Sequence, residues 1–552
     1  MKYDLLIKNG KVINVLDRSD LYKPWERMDI GIKGDRIIEI GYLNESESRE
    51  VINAQDYIVS PGFIDIHSHS DTYLLINPKA ESKIRQGVTT EVIGNCGLSA
   101  APLGGKYQPT KSILSDNIET NWTTMSGYLS HLEKKGSSVN VVPLVGHNNI
   151  RGAVMGYKNG HPSPGELKKM KGLTQEAFDA GVWGFSTGLI MPPGSSSGTE
   201  EIIALCKVVA QRKGVYHTHI RGQGDRLLSA IIEAIDIAKK ADVPLHILHH
   251  KGMGDANAAK VELTLAMIDD AISQGMNITM DMYPYLAGQG GLAMFLPYWV
   301  HEGGSEKLVE RLKDRELRKK IKCQMVEPEL IPGYQSYARE LGWKTCWNKI
   351  LICNTTTEKN ANLVGKSIAE AKPNNQDPIE FLFDLLIEEE GDLPVVIPDL
   401  IDIDDRYFQM VIRHPNTMFG SDGYALANYG ALGKGVPHPR SYGSFPRILG
   451  RFVRQRRLFT WKEAIRKMTY LPAKFLGIED RGLIKEGMYA DIVIFNPETI
   501  IDKSTFDHPH QYPDGIHYVI VNGEIVIKDS SHSGKLAGKV LRYHSNSFKK
   551  TK

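Results

Sequence analysis

The stretch "GVYHTHIRGQGDRLLSAIIEAIDIAKKADVPLHILHHK", residues 214 to 251, sets the architecture. Its first part, "GVYHTHIRG", is a short apolar run that ends in polar residues, as a buried strand does. "RLLSAIIEAIDIAKKA" then repeats apolar residues at helical spacing, and "VPLHILHHK" is a second short strand. Strand, helix and strand in that order form a parallel βαβ unit. Similar strand-like runs are "TTEVIGNCG" (89–97), "VNVVPLVGH" (139–147), "GVWGFSTGL" (181–189), "MNITMDMYPY" (276–285) and "NTMFGSDG" (416–423). With "PGFIDIHSHSD" at 61–71, about eight units are present, which predicts an α/β fold built on a (β/α)8 TIM-like barrel. A doubly wound open sheet is the alternative, but no GxGxxG opens a helix after the first strand.

The two ends have another texture. "DLLIKNGKVIN" (4–14), "DIGIKGDRIIEIG" (29–41) and "IHYVIVNGEIVIKD" (516–529) alternate like strands. Asn9-Gly10, Gly34-Asp35 and Asn522-Gly523 supply hairpin turn signals. We expect a small β-sandwich built from both termini, residues 1–60 and 479–552, flanking a catalytic barrel over 61–478. Residues 287–345 break the rhythm: "RLKDRELRKKIKCQM" (311–325) is charged and helical, so a helical insertion over one barrel loop is expected there. Its "LRKKIK" reads as a solvated helix face, and the tail "SFKKTK" (547–552) as a frayed terminus.

Composition narrows the functional classes. Hydrophobic residues at 41% and charged residues at 24% fit a soluble globular protein. A net charge of +2 gives no bulk electrostatic case for nucleic acid or a membrane surface. No apolar stretch reaches membrane-helix length, and "MKYDLLIKNGKVINV" lacks the apolar core of a signal peptide. Five scattered cysteines do not make a disulfide framework. These features predict a cytoplasmic protein.

In a barrel the chemistry gathers where strands end. Those ends hold His67, His69, Cys96, His147, His217, His219, Arg221, His249, His250, Lys251, Tyr283 and Asp422. Alternate residues of a strand share a face, so His67 and His69 project together and can clamp one metal ion. Buried ligands of this kind are costly without a partner, and a ring of them implies a shared one. Cys96 belongs to the same face, and thiolate suits zinc. On the strand through His217, His219 and Arg221 the outermost positions reach the mouth. That favours His219 as a ligand, Arg221 as a substrate anchor and His217 as a packing residue. His249 and His250 point to opposite faces, so only one can be a ligand unless the strand breaks between them; parity leaves the choice open. Asp422 in "FGSDG" reads as a carboxylate at the barrel mouth rather than a plain Asp-Gly turn.

These motifs, with "THIRGQG", "LHHK", "DMYPYLAG", "HPRSYGSFPRILGRF" (438–452) and "LPAKFLGIEDRGLIKEGMYADIVIFNP" (471–497), resemble the metal-dependent amidohydrolase superfamily. The likeness looks closest to its D-aminoacylase, or N-acyl-D-amino-acid deacylase, family. That resemblance implies one tightly held Zn2+ on Cys96, His219 and His249, the cysteine replacing the bridging carboxylated lysine of many relatives. His67, His69 and Asp422 would form a second, weaker metal position. It further implies that Asp422 is the general base and that Arg221, Lys251 and Tyr283 bind the substrate carboxylate. The implied reaction is hydrolysis of the amide of a small-molecule N-acyl-D-amino acid to a carboxylic acid and a free D-amino acid. The D-preference rests on the resemblance alone. Leu248 stands where the family has serine, and "AGQGG" (287–291) replaces an Ala-Gly-Ser-Thr run, which alters a pocket wall.

The residues argue for the same chemistry. A metal, a carboxylate base and fixed cations suit hydrolysis of an amide that lies beside a free carboxylate. A cyclic amidase or deaminase on the same fold is one rival, which the two cationic anchors fit poorly. A non-catalytic scaffold is another; it should have lost ligands that are all present here.

Overall fold

The computed structural model describes residues 1–16, 25–105, 107, 118, 120–327, 329, 334–398 and 406–543. The tail "SFKKTK" lies outside the described residues.

Eight parallel strands follow one another around a barrel in chain order. They are β1 (Phe63–Asp65), β2 (Val88–Ile93), β3 (Asn140–Gly146), β4 (Gly184–Gly188), β5 (Val215–His219), β6 (Leu245–Ile247), β7 (Ile278–Met282) and β8 (Thr417–Phe419). The opening stretch folds as read. The helix Leu227–Ala241 between β5 and β6 buries Leu227, Ile231, Ala234, Ile237, Ala238 and Ala241, a single apolar stripe at helical spacing. β1 and β8 close the ring just beyond their assigned ends, through a parallel bridge between Ser68 and Gly423. Asp422 N–H donates to His67 O at 2.7 Å and His69 N–H to Gly423 O at 2.9 Å across that seam. Close approach there requires a glycine: a Cβ on Gly420 would lie 2.6 Å from Cβ of His67. The bottom of the barrel is plugged by Phe475, whose ring lies 5.8 Å from that of His217 and 5.4 Å from that of His246.

The termini meet in one continuous nine-stranded sheet. Ile58–Pro61 joins them, pairing parallel with Tyr3–Val12 and antiparallel with Ile492–Phe495. Ile7, Ile30, Ile37, Val59, Ile492 and Ile520 share one apolar core, so neither terminal segment buries its strands alone. Gly34-Asp35 and Asn522-Gly523 form two-residue hairpins between Glu26–Lys33 and Arg36–Gly41, and between Ile516–Val521 and Glu524–Lys528. Asn9-Gly10 does not. It sits inside the continuous strand Tyr3–Val12 as a bulge, with Asn9 at φ +60° and the register shifting between Ile7 and Gly10. The glycine is needed for packing, because a Cβ there would lie 2.5 Å from Val59.

The segment between β7 and β8 has its own apolar core, from Leu292 and Phe295 through Trp347 and Leu382 to Ile397. It runs from Ala287 to Pro398, beyond the boundary near 345 that charge suggests. It also contains a three-stranded sheet of Ala287–Gly291, Leu351–Ile352 and Pro394–Pro398. Its second half, including the helix Pro378–Glu388, is apolar enough to pass for another barrel unit in the sequence. Among the described residues no helix is long and apolar enough to cross a membrane. All five cysteines are free.

Candidate metal centre

The ends of β1, β2, β5, β6 and β8 bring six of the expected side chains together. Ligand atoms of His67, His69, Cys96 and Asp422 lie within 4.8 Å of one another, as do those of Cys96, His219 and His249. Cys96 belongs to both groups and sits between them. Its sulfur is 3.3 Å from His67 Nε2 and 3.7 Å from His249 Nε2. Asp422 Oδ1 lies 2.9 Å from His69 Nε2 and 3.2 Å from His67 Nε2. The assigned β1 ends at Asp65, yet both histidines keep the shared direction that strand parity implies, their rings 5.4 Å apart.

The strand ends at Ile247, so His249 and His250 do not follow strand parity. His249 has φ +35°, so it turns inward while His250 turns outward to Thr264, 3.0 Å from its hydroxyl. Cys96 and Asp422 are also in the left-handed region, at φ +52° and +51°. Three strained non-glycine residues at one site, at about 1–3 kcal/mol each, mark a place where surrounding contacts over-determine the backbone.

The electrostatics suit a cation. Burial pushes the Cys96 thiol up, but the charge of His67 and the imidazoles of His219 and His249 more than offset this and favour thiolate. Burial likewise opposes ionisation of Asp422, yet the Arg440 guanidinium and His67 hold its carboxyl well below the usual range. His249 is lowered to about 4 by burial and by its neighbours His219 and Lys251, leaving a neutral imidazole. His219 Nε2 is buried and has no hydrogen-bond partner among the described residues. Thiolate, imidazole and carboxylate donors around such an atom fit a divalent transition metal.

A layer behind these side chains fixes their orientation. Asp281, on β7, lies 3.1 Å from His67 Nδ1 and 2.9 Å from His246 Nε2, and accepts the His249 N–H at 2.8 Å. Gln223 Nε2 is 2.9 Å from His249 Nδ1. Both contacts leave Nε2 of the two histidines aimed into the cluster. The sequence reading missed Asp281, although its parity with Tyr283 on β7 could have shown it. Arg440 was missed as well. It is buried, and its NH1 is 2.7 Å from Asp422 Oδ2. It lies within "HPRSYGSFPRILGRF", a signal available in the sequence.

Lys251 donates to the Tyr283 hydroxyl at 2.7 Å, and the Arg440 guanidinium lies 5.0 Å from the same ring. These three groups flank the cluster. Arg221 does not join them. Glu233 holds it through two bonds of 2.8 and 3.0 Å, so its charge is compensated within the protein. It lines an adjoining narrow cleft with Leu189, Ile190, Met294, Leu296 and Tyr298. His147 and His217 also stand apart, at Glu201 (2.8 Å) and Asn95 (2.9 Å).

This barrel and ligand set define a metal-binding hydrolase, and the comparison with known proteins agrees. Residues 50–334 and 355–527 match the model of the amidohydrolase family, to which the chain belongs. It is 32% identical over 547 residues to a D-aminoacylase of Alcaligenes xylosoxydans xylosoxydans, covering 98% of this chain and 97% of the relative. An N-acyl-D-glutamate deacylase of the same organism is 33% identical over 543 residues, with the same shares covered. The crystal structure of N-acyl-D-glutamate deacylase from Bordetella bronchiseptica, complexed with zinc and a phosphonate mimic of the tetrahedral intermediate, superposes with a TM-score of 0.81. It is 30% identical and is matched over 98% of this chain and 100% of that one.

Proposed function

We propose that this protein is a zinc-dependent deacylase that hydrolyses the amide bond of N-acyl-D-amino acids. The observation that carries the reading is the convergence of two ligand groups on Cys96, with the carboxylate of Asp422 on one side and the Lys251, Tyr283 and Arg440 cluster beside it. Cys96, His219 and His249 hold the tight zinc; His67, His69 and Asp422 provide a weaker second position. Zinc bound there supplies Lewis acidity for acidifying water and polarising the scissile carbonyl.

Asp422 is the general base: it takes the proton from the attacking water and returns it to the amine, which must be protonated to leave. Arg440 keeps that carboxylate ionised. Lys251, Tyr283 and Arg440 receive the substrate carboxylate, and the planar guanidinium can bind it through two bonds. Arg221, already held by Glu233, shapes the adjoining cleft. The D-preference is supported by the named activities of the relatives, and five free thiols support a cytoplasmic location.

Hydrolysis of N-acetyl-D-methionine against its L enantiomer, with metal content determined on the same sample, tests this. D-selective turnover by zinc-loaded enzyme is the expected result. Zinc with no turnover of either enantiomer would reject the substrate class and direct attention to cyclic amides.

A further inference from the structure

The seam that closes the barrel carries a second buried charge cluster, which the hydrolytic reading leaves without a task. Lys83 lies on the short helix Glu81–Ile84 and is fully buried. Its ammonium donates to Asp65 Oδ2 at 2.8 Å, to the Ser421 hydroxyl at 2.6 Å and to Gly423 O at 3.3 Å. It also lies 3.1 Å from Glu91 Oε1. Asp65 completes the grip by accepting the Ser421 N–H at 2.8 Å and the Ser421 hydroxyl at 2.6 Å. Asp65 and Glu91 are themselves fully buried, and the Lys83 ammonium is the positive charge in contact with both.

Lys83 therefore holds both neighbours of Asp422 without touching its side chain. Asp422 is the residue that needs holding. Its φ of +51° is a conformation that a Ser-Asp-Gly loop would leave if its flanks were free. Asp65 sits two residues before His67, so one ammonium ties together the backbones that present the carboxylate and the first histidine.

We propose that Lys83 is a positioning residue: by clamping Ser421 and Gly423 it fixes the Asp422 carboxylate in the geometry that proton transfer requires. The inference rests on the reading of Asp422 as general base. A residue that only closes the barrel would lower stability and would scale turnover equally in any background. A positioning residue acts through Asp422 alone.

The test uses the full-length zinc enzyme and two variants. Lys83→Met removes the clamp. Ser421→Ala removes one strand of it while keeping the ion cluster, in case Lys83→Met does not fold. Both should retain the wild-type metal content and KM, while kcat falls on the order of 10–100-fold, as misplacement of a reacting group by about 1 Å does. In an Asp422→Glu background, where the carboxylate is already displaced, either change should cost less than about 3-fold, the non-additivity of residues acting as a unit. Unchanged kcat, or equal losses in both backgrounds with a lowered melting temperature, would overturn the proposal. Asp422→Asn serves as the control. If it keeps turnover, the base assignment fails; if it is inactive while both clamp variants keep kcat, only the role of Lys83 fails.

Discussion

His219 ends a barrel strand, His147 directly follows one, and both are buried at the same face of the barrel. Their surroundings differ completely. His147 faces Glu201, which also pairs with Arg151, and Arg151 in turn donates to Gly160 O at 2.6 Å and Lys158 O at 3.1 Å. Each charge in that group is answered by another part of the protein. His219 faces Cys96 and His249, which are ligand-type groups with the same need. Both histidines have one buried nitrogen without a hydrogen-bond partner among the described residues, Nδ1 in His147 and Nε2 in His219. An orphaned nitrogen therefore does not mark a metal site by itself; convergence of several donors on one point does. The outer group stabilises a loop, whereas the mouth group can accept an ion.

Substitutions can break this contrast. The largest expected effect is from Asp422→Asn, which should reduce kcat by about 10²–10⁴-fold, the range spanned by a lost general base, while zinc content stays at the wild-type level. Steady-state kinetics with metal analysis would show it. Cys96→Ala and His249→Ala remove donors outright, so their zinc affinity should fall further than the roughly 10–100-fold typical of a lost outer partner. Competition with a chelator measures this. Asp281→Asn should fall within that 10–100-fold range in metal affinity or turnover, because it loosens His67 and His249 without removing either.

His147→Ala is the sharpest control and should have the smallest functional effect. Metal content and kcat/KM should stay at wild-type values, and the loss should appear only in stability. Removing one hydrogen-bond partner of a buried carboxylate costs about 1–3 kcal/mol, readable by denaturant unfolding. A loss of zinc in His147→Ala would show that the two groups are coupled and that the contrast drawn here is false.

Much of this arrangement was legible in the sequence because barrel strands are short apolar runs with their chemistry at one end. His67, His69, Cys96, His219 and Asp422 could be picked out this way, whereas parity left His249 and His250 undecided and only the family resemblance pointed to His249. Roles that depend on packing between distant segments could not. Arg440 comes from a helix after β8, Arg440–Arg447, and nothing local ties it to Asp422. Lys83 sits in a four-residue helix whose composition suggests surface, yet its buried ammonium joins three segments of the seam. Arg221 reads as an anchor from its place just beyond the end of β5, but its partner Glu233 lies on the helix that follows. Asn9-Gly10 carries a hairpin signal and is overridden by pairing with strands on both sides of Tyr3–Val12. In each case the local pattern was sound, and a tertiary partner decided the outcome.

The central claim is that one thiolate lies at the heart of the metal centre. Replacing the native metal with Co2+ and recording the near-ultraviolet spectrum tests it most directly. The account predicts a thiolate-to-metal charge-transfer band in the wild-type protein and in His147→Ala, and its loss in Cys96→Ser. A wild-type spectrum without that band, or a band that survives in Cys96→Ser, would contradict it.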